Sequence, residues 1–219
     1  MVDRDILLKE VIVMLLRLII LSTAMSVVGL SAAQASAIPS YSCVFTEPFV
    51  SVDSFPGGLR YVTPEKVETL AATTFTIFGP ATVLGGTLAS GKGFSVKIIK
   101  QAASDGMSEL MRPYAGTLSG TAVSLTVHGA CLKFPDGTTP RPVKKVAAND
   151  KLNVRSKPNA KAKIINRVGP QGFVWAFPES AAKGWVRVAT AVYPRGDSGT
   201  ITISTGWVNA KFLGLPGDR

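Results

Sequence analysis

Short β-branched and aromatic runs separated by Gly/Pro turns predict an all-β chain: a small antiparallel β-barrel or sandwich, then a second small β-barrel of shorter rhythm. Two further observations support this. In residues 38–138 no stretch keeps helical periodicity beyond about two turns, Pro64 to Ala72 being the best candidate. A charge step at Thr139-Pro140-Arg141-Pro142 divides the chain, and 219 residues are enough for one ordinary domain or two small ones.

The first forty residues read as an export signal. Val11 to Leu30 is mostly aliphatic, broken by Arg17, and leads into Ala33-Gln34-Ala35-Ser36-Ala37, which holds two overlapping A-x-A cleavage sites. Asp3, Asp5 and Glu10 are unusual before such a run, whereas a start at Met14 would open a compact signal sequence. The competing reading is an uncleaved anchor, since the run approaches the ~20 residues that span a bilayer. Ser22, Thr23, Ser26 and Gly29 dilute its second half. Residues 1–37 are therefore expected to deliver the rest of the chain to the periplasm or cell envelope.

Export sets the meaning of the two cysteines. In an oxidising compartment, Cys43 and Cys131 bracket one domain and are most simply a disulfide, the alternative being two unrelated buried thiols.

From residue 38 to 138, seven basic residues balance seven acidic ones, so the net charge of +10 belongs wholly to the part from Thr139 onward. Residues 38–138 thus read as a β-rich domain, 139–146 as a basic, proline-containing linker, and 147–215 as a second domain. In the first domain the expected strands are Cys43-Phe45, Phe49-Val52, Leu59-Val62, Thr74-Phe78, Thr82-Leu88, Phe94-Ile99, Tyr114-Leu118 and Ala122-Val127. In the second, Leu152-Ser156, Ile164-Val168, Phe173-Phe177, Trp185-Val188, Ile201-Ile203 and Trp207-Val208 are the apolar runs.

Leu152-Asn153-Val154-Arg155-Ser156-Lys157-Pro158, Gly184-Trp185-Val186, Gly206-Trp207-Val208 and Lys211-Phe212-Leu213 together resemble a bacterial SH3-like (SH3b) domain. That resemblance spans about Val146 to Leu215 and implies wall or peptide binding in general. The chain departs from the family between Val188 and Gly206, where Ala189 to Thr205 replace a tight turn and are expected to extend a hairpin. Thr46-Glu47-Pro48-Phe49-Val50, Ser104-Asp105-Gly106-Met107-Ser108-Glu109 and Gly129-Ala130-Cys131 are similar to motifs of a family of exported bacterial proteins without a settled activity. Val50 stands where that family has Trp, and no cysteine precedes Asp105.

Catalytic chemistry is poorly supplied. One histidine and two cysteines leave too few ligands for a Cys/His metal cluster and make a Ser-His-Asp or Cys-His hydrolase a poor bet, so no enzyme, metal or cofactor is expected. Gly86 to Lys92 imitates a P-loop, but Gly93 stands where the magnesium-ligating hydroxyl belongs, and a hairpin turn is the better reading. His128 lacks an orienting partner in sequence and reads as a surface or structural histidine. Asp105 to Glu109 reads as a capped turn, with cation or ligand binding as the alternative.

The basic run is more informative. Arg141, Lys144, Lys145, Lys151, Arg155, Lys157, Lys161, Lys163 and Arg167 are opposed within their span only by Asp150. A solvated face is one reading and attraction to a polyanion the other. Candidate ligand contacts are Arg155, Lys157, Lys161, Lys163, Trp185, Tyr193 and Trp207. The expected partner is peptidoglycan or another anionic envelope polymer, with an envelope protein second. Compartment argues against nucleic acid, and membrane contact would come only through an uncleaved segment. Rival readings are an inhibitor or partner of a wall hydrolase such as lysozyme, acting through Asp105 to Arg112, and a wall-hydrolase accessory or enzyme.

Overall fold

The computed structural model describes residues 37–215 and 218. The expected export segment lies outside them, apart from Ala37. The described residues form one compact all-β unit.

Four strands open it as a meander: β1 (Tyr41–Thr46), β2 (Phe49–Phe55), β3 (Gly58–Val62) and β4 (Val67–Leu70). Then follow β5 (Thr74–Phe78), β6 (Ala81–Thr87) and β7 (Gly93–Ile99), the short β8 (Ala103–Ser104) and β9 (Glu109–Arg112), then β10 (Tyr114–Ser119) and β11 (Val127–Lys133). Nine of these make one antiparallel sheet in the order β4-β3-β2-β1-β11-β10-β7-β6-β5. β4 and β5 occupy opposite edges, yet only residues 71–73 connect them, a reach of roughly 14 Å at most. The sheet must therefore curl, and the Ala89 amide donates to Glu68 Oε2 at 2.9 Å across the gap. Inside the curl lie Phe45, Val52, Leu59, Leu84, Val96, Ile98 and Leu118, all nearly solvent-free.

The first and last strands of this half meet at its centre. Cys43 and Cys131 are register partners on β1 and β11 and form the expected disulfide. Gly116 makes room behind it, since a Cβ there would lie 2.8 Å from Cys131 Sγ.

Two elements differ from expectation. The helix candidate around Pro64–Ala72 is a turn followed by β4, because Leu70 and Val67 pair with Leu59 and Val62 of β3. The strand expected at Ala122–Val127 is a loop, and β11 begins where that expectation ends. Gly129 explains the shift: β1 passes so close that a Cβ would sit 2.1 Å from Val44 O, so a residue that weakens isolated strands is required in this one.

The second half holds β12 (Thr139–Pro142), β13 (Leu152–Arg155), β14 (Ile164–Val168), β15 (Phe173–Ala182), β16 (Trp185–Val192), β17 (Ser198–Thr200) and β18 (Thr202–Asn209), then a 3-10 turn (Ala210–Phe212). Six of them form the sheet β12-β15-β16-β18-β13-β14. The start of the expected linker, residues 139–146, is thus corrected to an edge strand. Pro140 and Pro142 are buried there, where an edge tolerates residues without an N–H. Lys144 N donates to Phe212 O at 2.8 Å, stitching its continuation to the end of the chain.

The insertion Ala189 to Thr205 does extend a hairpin, with β16 and β18 pairing from Trp185↔Asn209 to Val192↔Thr202. It also reaches the first half: β17 pairs in parallel with β9, Thr200 opposite Met111, and Ile201 beyond it is fully buried. A third apolar cluster fills the junction, with Phe55, Leu132 and Phe134 against Trp175, Ala189 and Ile201. Trp175 stacks on Phe134 with centroids 4.3 Å apart. The six-stranded sheet is consequently covered on both faces over its middle: Val186, Val188 and Val208 face its own core, while Trp175 and Ala189 face the first half.

Candidate functional site

One open concavity among the described residues lies at one end of the six-stranded sheet. It is a groove of about 470 Å³ framed by the 145–151 loop, the start of β13, Trp185 on β16, and the 3-10 turn. Lys145, Lys151, Arg155 and Lys211 line it, opposed by Asp150 alone. Trp185 and Phe212 supply apolar walls, and Asn153 and Asn209 add amides.

Local structure fixes several of these groups. Strand alternation buries Leu152 and Val154 and turns Asn153 and Arg155 outward. Arg155 Nη1 donates to Ala162 O at 2.7 Å, so its guanidinium is held in place and ties the 157–162 turn to β13. Lys145 takes a left-handed backbone (φ 56°), unusual for a side chain with a Cβ, where the chain bends along the groove. Asn209 Oδ1 accepts the Lys211 amide at 3.1 Å and caps the turn that carries Lys211 and Phe212. Lys211 Nζ lies 4.8 Å from the Phe212 ring centroid, so cation and ring are presented together. The Asp150 carboxylate accepts the Lys151 amide at 2.7 Å.

Of the residues that the sequence marks for binding, the groove brings together Arg155 and Trp185. Lys157, Lys161 and Lys163 sit on the exposed β13–β14 turn, whose Ala160 reaches the groove edge. Trp207 is half-buried opposite Arg155 and Arg187, outside the groove lining. Tyr193 is 59% exposed near the tip of the inserted hairpin, also apart from it. Lys145 and Lys151 belong to the basic run, but Lys211 and Phe212 carry no charge or motif signal beyond the Lys-Phe-Leu that ends the second Gly-Trp-Val strand. Of the rest of the basic run, Arg141 Nε donates to Gly214 O and Arg167 Nε to Asn153 Oδ1.

The Asp105 segment is a capped turn. Asp105 Oδ1 accepts the Met107 and Ser108 amides and the Ser108 hydroxyl, each at 3.1 Å, and Oδ2 accepts Arg112 Nη1 at 3.0 Å. Burial opposes ionisation, but the Arg112 guanidinium and the amide and hydroxyl donors outweigh it and hold the carboxyl below its ordinary value. A lowered folded-state pKa stabilises the fold above the unfolded pKa, about 3.9, and that stability disappears as pH falls through the folded value. Asp105→Asn is therefore expected to melt lower than wild type near neutrality and to converge with it in strong acid, in thermal melts across pH. A constant difference at every pH would contradict this role. Met107 and Phe49 stand exposed beside the turn, with His128 on the neighbouring strand.

The Gly86–Lys92 segment is the end of β6 and the β6–β7 hairpin connection, closed by Leu88 N to Lys92 O at 2.9 Å. Among the described residues no three His, Cys, Asp or Glu side chains cluster as metal ligands. Comparisons with protein-family models, with curated proteins and with solved structures find no match to this chain.

Proposed function

We propose that this is a non-enzymatic, exported cell-envelope protein whose second half holds peptidoglycan or its peptide stems in the groove beside Trp185. The disulfide between Cys43 and Cys131 is compatible with export. The observation that carries the reading is the groove's composition: four cationic side chains against one carboxylate, beside two aromatic rings. Carboxylates of a stem peptide suit such cations, because charge-assisted bonds are the stronger kind and Arg155 is already oriented. The Trp185 and Phe212 rings offer apolar faces to the remainder of the ligand.

The test is retention of the full chain on purified sacculi across a salt series. Wild type is expected to be retained at low salt and released as salt rises. Lys151→Ala combined with Trp185→Ala is expected to weaken retention by about tenfold or more, since one charge-assisted bond alone has that worth. Absence of retention at the lowest salt would reject the proposal. A second reading, inhibition of a wall hydrolase such as lysozyme, is favoured by Met107 and Phe49 standing 68% and 56% exposed around the rigid Asp105 turn. Lysozyme turnover of sacculi with and without the full chain decides it, and an unchanged rate removes it.

A further inference from the structure

Sheet edges expose unpaired N–H and C=O groups, and proteins commonly block them with charges, prolines or short strands. Most edges here are blocked in one of these ways. β4 carries Glu68, which is paired with Lys66; β12 carries Pro140 and Pro142; β14 carries Arg167 and follows Lys163. β8 and β17 are two and three residues long.

β5 is the exception. It is an edge strand of five residues, Thr74-Phe75-Thr76-Ile77-Phe78, with neither charge nor proline. No charged residue occurs from Thr69 to Gly91. Ile77 is 61% and Phe78 79% exposed, and Thr76 is exposed too, so the far half of the strand is uncovered.

The hairpin geometry shows which backbone groups are free. Phe78 and Ala81 close a two-residue turn at Gly79-Pro80, where Gly79 takes a positive φ of 55°. The closing pair of such a hairpin is hydrogen-bonded, and alternation places Thr76↔Val83 and Thr74↔Gly85 in the same class. Phe75 and Ile77 therefore turn their N–H and C=O groups away from β6. We propose that β5 is a self-pairing edge: two copies of this chain join their β5 strands antiparallel about a two-fold axis at Thr76. In that register Phe75 bonds to Ile77 of the second copy and Ile77 to its Phe75, while exposed Phe78 covers Thr74. Aromatic and β-branched residues make favourable cross-strand pairs. The charge pattern selects a second copy as the occupant. The net charge of +10 lies wholly from Thr139 onward while residues 38–138 are balanced, so two copies can meet through this half without net repulsion, and the uncharged hairpin places no like charges across the axis.

Sedimentation velocity of the full chain over a concentration series tests this, together with Thr76→Lys, which sets two lysines face to face, and Thr69→Lys on the opposite edge. Wild type and Thr69→Lys are expected to dimerise, and Thr76→Lys to remain monomeric while still unfolding in one cooperative transition, with a midpoint that no longer rises with protein concentration. Register is read by cysteine capture. Thr76→Cys should form a covalent dimer under mild oxidation, because self-opposed residues of a non-hydrogen-bonded pair lie about 4.5 Å apart at Cα, within disulfide reach. Thr74→Cys should not, since it faces Phe78. A monomeric wild type, which would leave the edge to a strand of a different protein, overturns the proposal. Association that survives Thr76→Lys, or equal capture at both positions, also overturns it.

Discussion

Replacing Arg60 with alanine is expected to lower the unfolding free energy by about 3–5 kcal/mol, read as a fall in the urea midpoint. Arg60 on β3 and Asp53 on β2 are register partners, and their side chains are only 4% and 3% exposed. Arg60 Nε donates to Asp53 Oδ2 at 2.9 Å, and Nη2 reaches the same oxygen. The guanidinium carbon lies 3.8 Å from the centroid of Phe173, so the cation also joins the curled sheet to the second half. Truncating Arg60 strands a carboxylate in a dry site, and truncating Asp53 strands the cation. Either loss exceeds what the pair contributes, because desolvation of the survivor has no compensation. The pair itself is imperfect, as Arg60 Nη1 is buried without a hydrogen-bond partner. The double variant Asp53→Leu with Arg60→Met is therefore expected to recover most of the single-variant loss. A cycle in which the two losses simply add would show that the pair is not coupled.

The parts of this architecture that were legible in the sequence are those fixed by local chemistry. Alternating residues marked most strands, Ser90-Gly91-Lys92 marked a hairpin turn, and Cys43 and Cys131 announced the closure of the first half. What escaped depends on long-range approach. Gly129-Ala130 reads as a poor strand until β1 is packed against it. The strand Ser198–Thr200 has no apolar pattern, and its partner β9 is almost ninety residues upstream. The groove was legible in kind more than in membership. A basic, aromatic-rich second half was evident, but the pleat and the covering first half decide which rings stay accessible. Trp175 is drawn into the junction, Trp185 lines the groove, and Tyr193 leaves with the insertion. Lys157, Lys161 and Lys163 follow one another along an exposed turn, where sequence proximity to Arg155 does not bring them into the concavity.

Reduction of the disulfide is expected to cost about 2–5 kcal/mol. The bond joins residues 88 apart in sequence, for which the chain-entropy account gives about 4.5 kcal/mol. Little of that effect is expected to come from the folded state. Cys43 and Cys131 are already opposed by the β1–β11 ladder, and both are 1% exposed or less inside the main core, so the strands hold their register without the bond. The cross-link acts mainly on the unfolded chain, which it keeps compact over most of the first half. Two measurements separate the mechanisms. Constraint of the unfolded state predicts that the reduced chain loses stability and gains a steeper urea dependence, because its unfolded ensemble exposes more surface. Loss of native packing predicts the same destabilisation with an unchanged slope. Gly116→Ala provides the contrasting case: its methyl would press on Cys131 Sγ and on Phe45, 3.3 Å away, so it should destabilise through the folded state and leave the slope as it was.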